Sequence, residues 1–127
     1  MQPGWDRQEL WPLRSSVVLA SASAGIAPPV GAVETTLGDP ELLEATSRIQ
    51  LRQGFRARTA IHPEQLSTIH AVFTPSAEEL AAARDVVARW EEAGRAGAGV
   101  AVGPRGQMLD AAVVRAAREV VARAELR

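Results

Sequence analysis

The stretch GFRARTAIHPEQ, residues 54–65, brings Arg58 and His62 to the two ends of a short apolar run. An imidazole at a strand end can serve as a base or a ligand, or be held by backbone hydrogen bonds ahead of Pro63, and a lone histidine favours the second. Arg58 can meet a phosphate or close a structural ion pair, and its surroundings lean to the ion pair. Asp110 is the third candidate. Its carboxylate could exchange a proton, yet it stands directly before a helical pattern, where an aspartate accepts backbone N–H groups. Local sequence favours the cap, and the two roles are compatible. The glycine-rich GRAGAGVAVGPRG at 94–106 invites a nucleotide-loop reading. That reading fails, because a dinucleotide loop needs a strand before it and a helix directly after it, whereas a helix precedes this segment.

Composition removes several chemistries. The 127 residues include 14 basic side chains, all Arg, against 15 acidic ones. Without lysine there is no Schiff-base chemistry on that residue. Without cysteine there is no thiolate, disulfide or Cys-based zinc site, and two histidines do not fill a His-rich metal site. The formal charge of -1, with no basic stripe, argues against a nucleic-acid partner. Apolar residues at 46% and charged ones at 23% are those of an ordinary globular chain, with no apolar run approaching a membrane span. The amino-terminal MQPGWDRQELWPLR lacks a signal-peptide profile, so a cytoplasmic setting is expected.

Several elements must position these side chains. Residues 1–12 read as an irregular lead-in, and LRSSVVLASASA at 13–24 as a helix stopped by Gly25. The prolines of IAPPVGAV confine any strand to Val30 through Val33. Asp39, Pro40 and Glu41 open a helix, and Gly54 closes it. A strand over Arg56 to Ile61 and a helix opened by Pro63 follow, so alternation predicts parallel βα units. Ser76 and Glu79 form a capping box for a long helix with Leu80, Ala83, Val87 and Trp90 inward and a stop at Gly94. Next comes a flexible arm or short hairpin around Pro104 to Gly106, then a helix from Ala111 to about Ala124 with Val113, Ala117, Val120 and Ala124 on one face. Two parallel strands alone leave unpaired edges, which predicts a share in a larger sheet.

In order and spacing, GFRARTAIHPEQ, FTPSAEE at 73–79 and GQMLD at 106–110 resemble the C-terminal region of the citrate lyase β-chain and malyl-coenzyme A lyase family. The likeness runs from about Leu13 to Arg127. It implies the C-terminal part of a TIM (β/α)8 barrel, with the last βα units over 13–75 and a helical extension over 76–127. Val30 to Val33 would be the seventh strand and Ala57 to Ile61 the eighth. The family reaction is cleavage or formation of a carbon–carbon bond beside a coenzyme A thioester of a small keto or hydroxy acid. Mg2+ is implied, held by a Glu and an Asp on earlier strands, so that no metal ligand is expected in this chain. By the same likeness Asp110 resembles the carboxylate that exchanges a proton with the thioester enolate, and it would act in a neighbouring subunit of a trimer or hexamer. Gly31, Glu34, Arg58 and His62 would lie on the substrate and coenzyme rim, at the C-terminal strand ends.

Departures accompany the matches. Val30, Glu34 and Thr36 stand where relatives carry Asp, an aromatic residue and Asp, and Ala57 and Arg58 replace Gly-Lys, which keeps a cation but changes its geometry. A chain with two barrel strands is expected to be catalytically incomplete alone. The alternative is a non-catalytic interaction or oligomerisation module that complements a barrel partner.

Overall fold

The computed structural model describes residues 2–98 and 100–125. They fall into two compact units, 2–73 and 74–125. Gly99, within the glycine-rich stretch considered for nucleotide binding, lies outside the described residues.

The first unit is built on a strand–helix–strand segment. Strand β1 (Val30–Gly31) pairs in parallel with β2 (Ala57–Arg58), Val30 opposite Ala57 and Gly31 opposite Arg58. Helix α2 (Pro40–Gln53) crosses between them. As its sequence predicts, Asp39 caps it, one carboxylate oxygen accepting the Leu42 N–H at 2.9 Å, and Gly54 ends it at φ 107. Leu43 of α2, Phe55, and Ile69, Val72 and Phe73 of α3 (Gln65–Phe73) form the core, with Val18, Leu51 and Ala60 packed against it. Val18 belongs to α1 (Trp11–Ser23) and abuts Gly54, where a Cβ would come within 2.7 Å of it.

Both strands are shorter than expected, and just past β1 the carbonyls show where its ladder ends. The Ala32 carbonyl accepts from Arg58 Nε at 2.9 Å and Gln50 Nε2 at 3.2 Å, and that of Val33 accepts from Arg7 Nη1 at 3.4 Å. Side chains thus take acceptors that a longer ladder would use. The lead-in is also less irregular than expected. A 3-10 turn (Gln8–Leu10) runs into α1, which starts at Trp11 because Pro12 is tolerated in a first helical turn. Helix α3 begins two residues after Pro63, since residues 61–64 make a turn first.

The second unit pairs two helices around a hairpin. The capping box of α4 (Ala77–Arg95) is present in full: Ser76 Oγ accepts the Glu79 N–H at 3.1 Å while the Glu79 carboxylate accepts the Ser76 N–H at 2.8 Å. The helix runs through Gly94, where a stop was expected, to Arg95, and Gly97 beyond it takes the left-handed conformation at φ 64. Strands β3 (Ala101–Val102) and β4 (Met108–Leu109) then form an antiparallel hairpin. Helix α5 (Ala111–Glu125) buries Val114 and Ala117 and partly buries Val120 and Ala124, so the expected face turns inward except at its first residue, where Val114 is buried and Val113 is 40% exposed. Among the described residues no helix is long and apolar enough to cross a membrane.

Candidate functional site

The loop after β1 carries Glu34 into the interior of the first unit, where it is 1% exposed. A buried carboxylate needs cationic partners and hydrogen bonds, and it has both. Arg7 Nη2 donates to its two oxygens at 3.0 and 3.1 Å, Arg58 Nη2 lies 3.4 Å from one of them, and the Thr36 N–H donates at 3.3 Å. Burial pushes the carboxyl up, but the Thr36 N–H, Arg7 and Arg58 together outweigh it and hold Glu34 below its ordinary value. Arg58 rises from β2 with a side chain closed to solvent. Its Nη1 donates to Thr46 Oγ1 and Ser47 Oγ, each at 2.7 Å, and to the Leu43 carbonyl at 3.2 Å. Burial lowers its pKa and Glu34 raises it back in part, while Arg7 and Arg14 repel it further.

Gly31 sits beside this cluster for a steric reason. A Cβ there would collide with the Gln50 side-chain amide, which is itself buried, and would come 3.2 Å from the Ala57 carbonyl. Gln65, at the start of α3, ties both strand-end loops together. Its Nε2 donates to the Glu34 carbonyl at 2.9 Å, and its Oε1 accepts the Ile61 N–H at 2.9 Å.

A cavity of about 260 Å³ opens above these loops, between Thr36 and Asp39 on one side and His62, Gln65, Ser67 and Thr68 on the other, with Leu43 also in its wall. His62 is on this wall and partly open to solvent, its Nδ1 accepting the Glu64 N–H at 3.3 Å and lying 3.6 Å from the Glu64 carboxylate. Asp110 belongs to the second unit. Its Oδ1 accepts the Val113 N–H at 2.8 Å, an N-cap of α5.

The structure therefore brings Gly31, Glu34 and Arg58 together beneath the strand ends, puts His62 on the cavity wall, and leaves Arg58 no surface to offer a ligand. Sequence reasoning missed Arg7, Gln50, Thr46, Ser47 and Gln65. Only Gln65 carried a usable signal, through its position in the IHPEQ run. Among the described residues no group of three or more His, Asp or Glu could hold a metal ion, and Glu34 is already committed to two arginines. The described side chains do not fit a Mg2+ site.

These features define a parallel βα segment with a charged strand-end cluster under an open cavity, followed by a hairpin-linked helix pair. No protein-family model matches the chain. It is 38% identical over 123 residues to citrate lyase subunit beta of Escherichia coli (strain K12), covering 93% of this chain and 38% of that protein. It is 34% identical over 116 residues to the subunit of the same name from Leuconostoc mesenteroides subsp. cremoris, covering 91% and 38%. The L-malyl-CoA/beta-methylmalyl-CoA lyase of Cereibacter sphaeroides is 32% identical over 125 residues, covering 98% and 38%. Among solved structures, CitE from Mycobacterium tuberculosis, in complex with magnesium, acetoacetate and coenzyme A, superposes with a TM-score of 0.69 at 30% identity, over 93% of this chain and 42% of that one. A citrate lyase from Burkholderia xenovorans LB400 gives 0.72 at 24% identity, over 95% and 37%, a likeness of fold. The chain belongs to the citrate lyase β-subunit and malyl-coenzyme A lyase family, and it spans just over a third of the length of the relatives it matches.

Proposed function

We propose that this chain is part of a carbon–carbon lyase acting on a coenzyme A thioester of a small keto or hydroxy acid, and that it supplies the last two βα units of a TIM barrel with a helical extension. The observation that carries the reading is the likeness, over 93% of the chain, to a protein solved with coenzyme A and acetoacetate. The parallel pair β1–β2 supports the barrel reading, since its outer edges and the exposed apolar side chains Leu13, Val17 and Leu19 of α1 call for further strands and helices. His62 and the cavity wall form the rim toward substrate. Gly31, Glu34 and Arg58 act below it as positioning residues, holding the loops that shape the rim. Asp110 exchanges the proton at the carbon next to the thioester carbonyl, serving a neighbouring subunit of a trimer or hexamer. Bound Mg2+ would polarise the oxygens of the keto or hydroxy acid. Its ligands would stand on earlier barrel strands, in a soluble, cytoplasmic assembly.

Fragment complementation tests this. The chain is mixed with a relative from which the matching segment has been deleted, and Mg2+-dependent cleavage of a hydroxyacyl thioester is followed. Cleavage is expected in the mixture and not with the chain alone, and it disappears with Asp110→Asn. Cleavage by the chain alone would overturn the claim of incompleteness. A mixture that associates without cleaving, and melts at the same temperature with and without thioester, would instead support a non-catalytic module, the reading favoured by the unpaired sheet edges.

A further inference from the structure

The second unit leaves a groove of about 370 Å³ open between α4 and α5. Val87 and Ala88 on α4 and Val121 and Ala122 on α5 make its apolar strip, the valines half-buried and the alanines exposed. Such a strip admits another helix closely, because its side chains are short. The corners of the groove are charged: Arg84 and Glu91 on α4, Arg118 and Glu125 on α5. Within each helix the two charges are two turns apart, about 10 Å along the axis, and so nearly in line.

The two helices run antiparallel, since the β3–β4 hairpin joins the end of α4 to the start of α5, and Glu91 meets Arg118 at 3.6 Å near that end. Glu91 and Arg118 therefore occupy one end of the groove, and Arg84 and Glu125 the other. The sign of charge alternates around the four corners. A copy turned over by a two-fold axis in the plane of the groove, along or across the helices, sets every arginine over a glutamate. We infer that the α4–α5 face pairs with the same face of a second copy of this chain, giving a four-helix contact with valine and alanine inside and arginine–glutamate pairs at the rim. Such an isologous contact uses one patch twice, with an apolar centre and a polar border. It stands independently of the lyase reading, and of the two assemblies proposed there it is compatible with the hexamer, which can contain two-fold axes, and not with an isolated trimer.

Sedimentation equilibrium of the full chain across micromolar concentrations tests the inference. The mass should rise from one chain to two. An acidic groove (Arg84→Glu with Arg118→Glu) and a basic groove (Glu91→Arg with Glu125→Arg) should each remain single chains with helical circular dichroism retained, while an equimolar mixture of the two dimerises. Should either variant lose helix, the milder Arg84→Gln with Arg118→Gln takes its place, with dimer dissociation expected to strengthen about tenfold or more. The inference is overturned by a wild-type chain that stays single throughout, or by a mixture that associates no better than its components. Association indifferent to these four charges would also overturn it, and would point to the sheet edges of the first unit or to another segment in the groove.

Discussion

Arg58 is a cation whose every hydrogen-bonding group turns inward, and its partners decide what removing one of them costs. Glu34→Gln keeps the size of the side chain and an oxygen for the Thr36 N–H, but it leaves Arg58 charged, closed to solvent and without its counter-ion. Breaking one side of a buried pair typically costs about 3 kcal/mol. Urea unfolding should show the midpoint of Glu34→Gln lowered accordingly with an unchanged slope. A wild-type midpoint would mean that the neutral acceptors Thr46, Ser47 and the Leu43 carbonyl suffice for Arg58. Part of this cluster was legible. The sequence reads Arg58 as a cation inclined to an ion pair, which matches what the structure does with it. The partners were hidden, because Arg7 and Glu34 are 27 positions apart and meet only through the fold. Gly31 could be picked out by resemblance, but the reason for a glycine there, the Gln50 amide packed against it, is a tertiary contact.

Helix ends are where local sequence spoke most clearly. Asp39 and Gly54 bound α2, and Ser76 with Glu79 starts α4, as side-chain chemistry predicts, because a cap satisfies backbone groups only a few residues away. Strand lengths were less legible, because side chains from distant elements take the Ala32 and Val33 carbonyls, and on α5 only the first inward residue differs, Val114 in place of Val113, one residue being about 100° of helix turn. At Asp110 this capping chemistry separates two roles. Asparagine caps about as well as aspartate, whereas alanine loses about 1 kcal/mol. Asp110→Asn should therefore melt with the wild type, and Asp110→Ala should melt several degrees lower, in thermal scans followed by circular dichroism. If Asp110→Asn is as unstable as Asp110→Ala, the carboxylate charge has a structural task beyond the cap, and loss of cleavage in the complemented mixture would no longer isolate proton exchange.

At the scale of the whole molecule, two compact units need not respond alike to acid. The first contains Glu34, whose carboxyl the Thr36 N–H, Arg7 and Arg58 hold below its ordinary value of 4.5 despite burial. A depressed folded-state value means that the unfolded chain takes up the proton first as pH falls. The stabilisation is then complete above about pH 4.5 and is lost as the pH drops through the lower folded-state value, at a limiting slope of about 1.4 kcal/mol per pH unit for one proton. Tryptophan fluorescence can follow the first unit by itself, because Trp5 and Trp11 lie in it and Trp90 lies in the second. In a Trp90→Phe background, the fluorescence melt should fall steadily in temperature below pH 4.5. Adding Glu34→Gln should lower the melt at neutral pH and flatten the acid slope, since a side chain that binds no proton cannot lose stability by binding one. Equal slopes with and without Glu34 would assign the acid sensitivity to other carboxylates, and the buried arginine–glutamate cluster would then be holding the strand ends by geometry more than by charge.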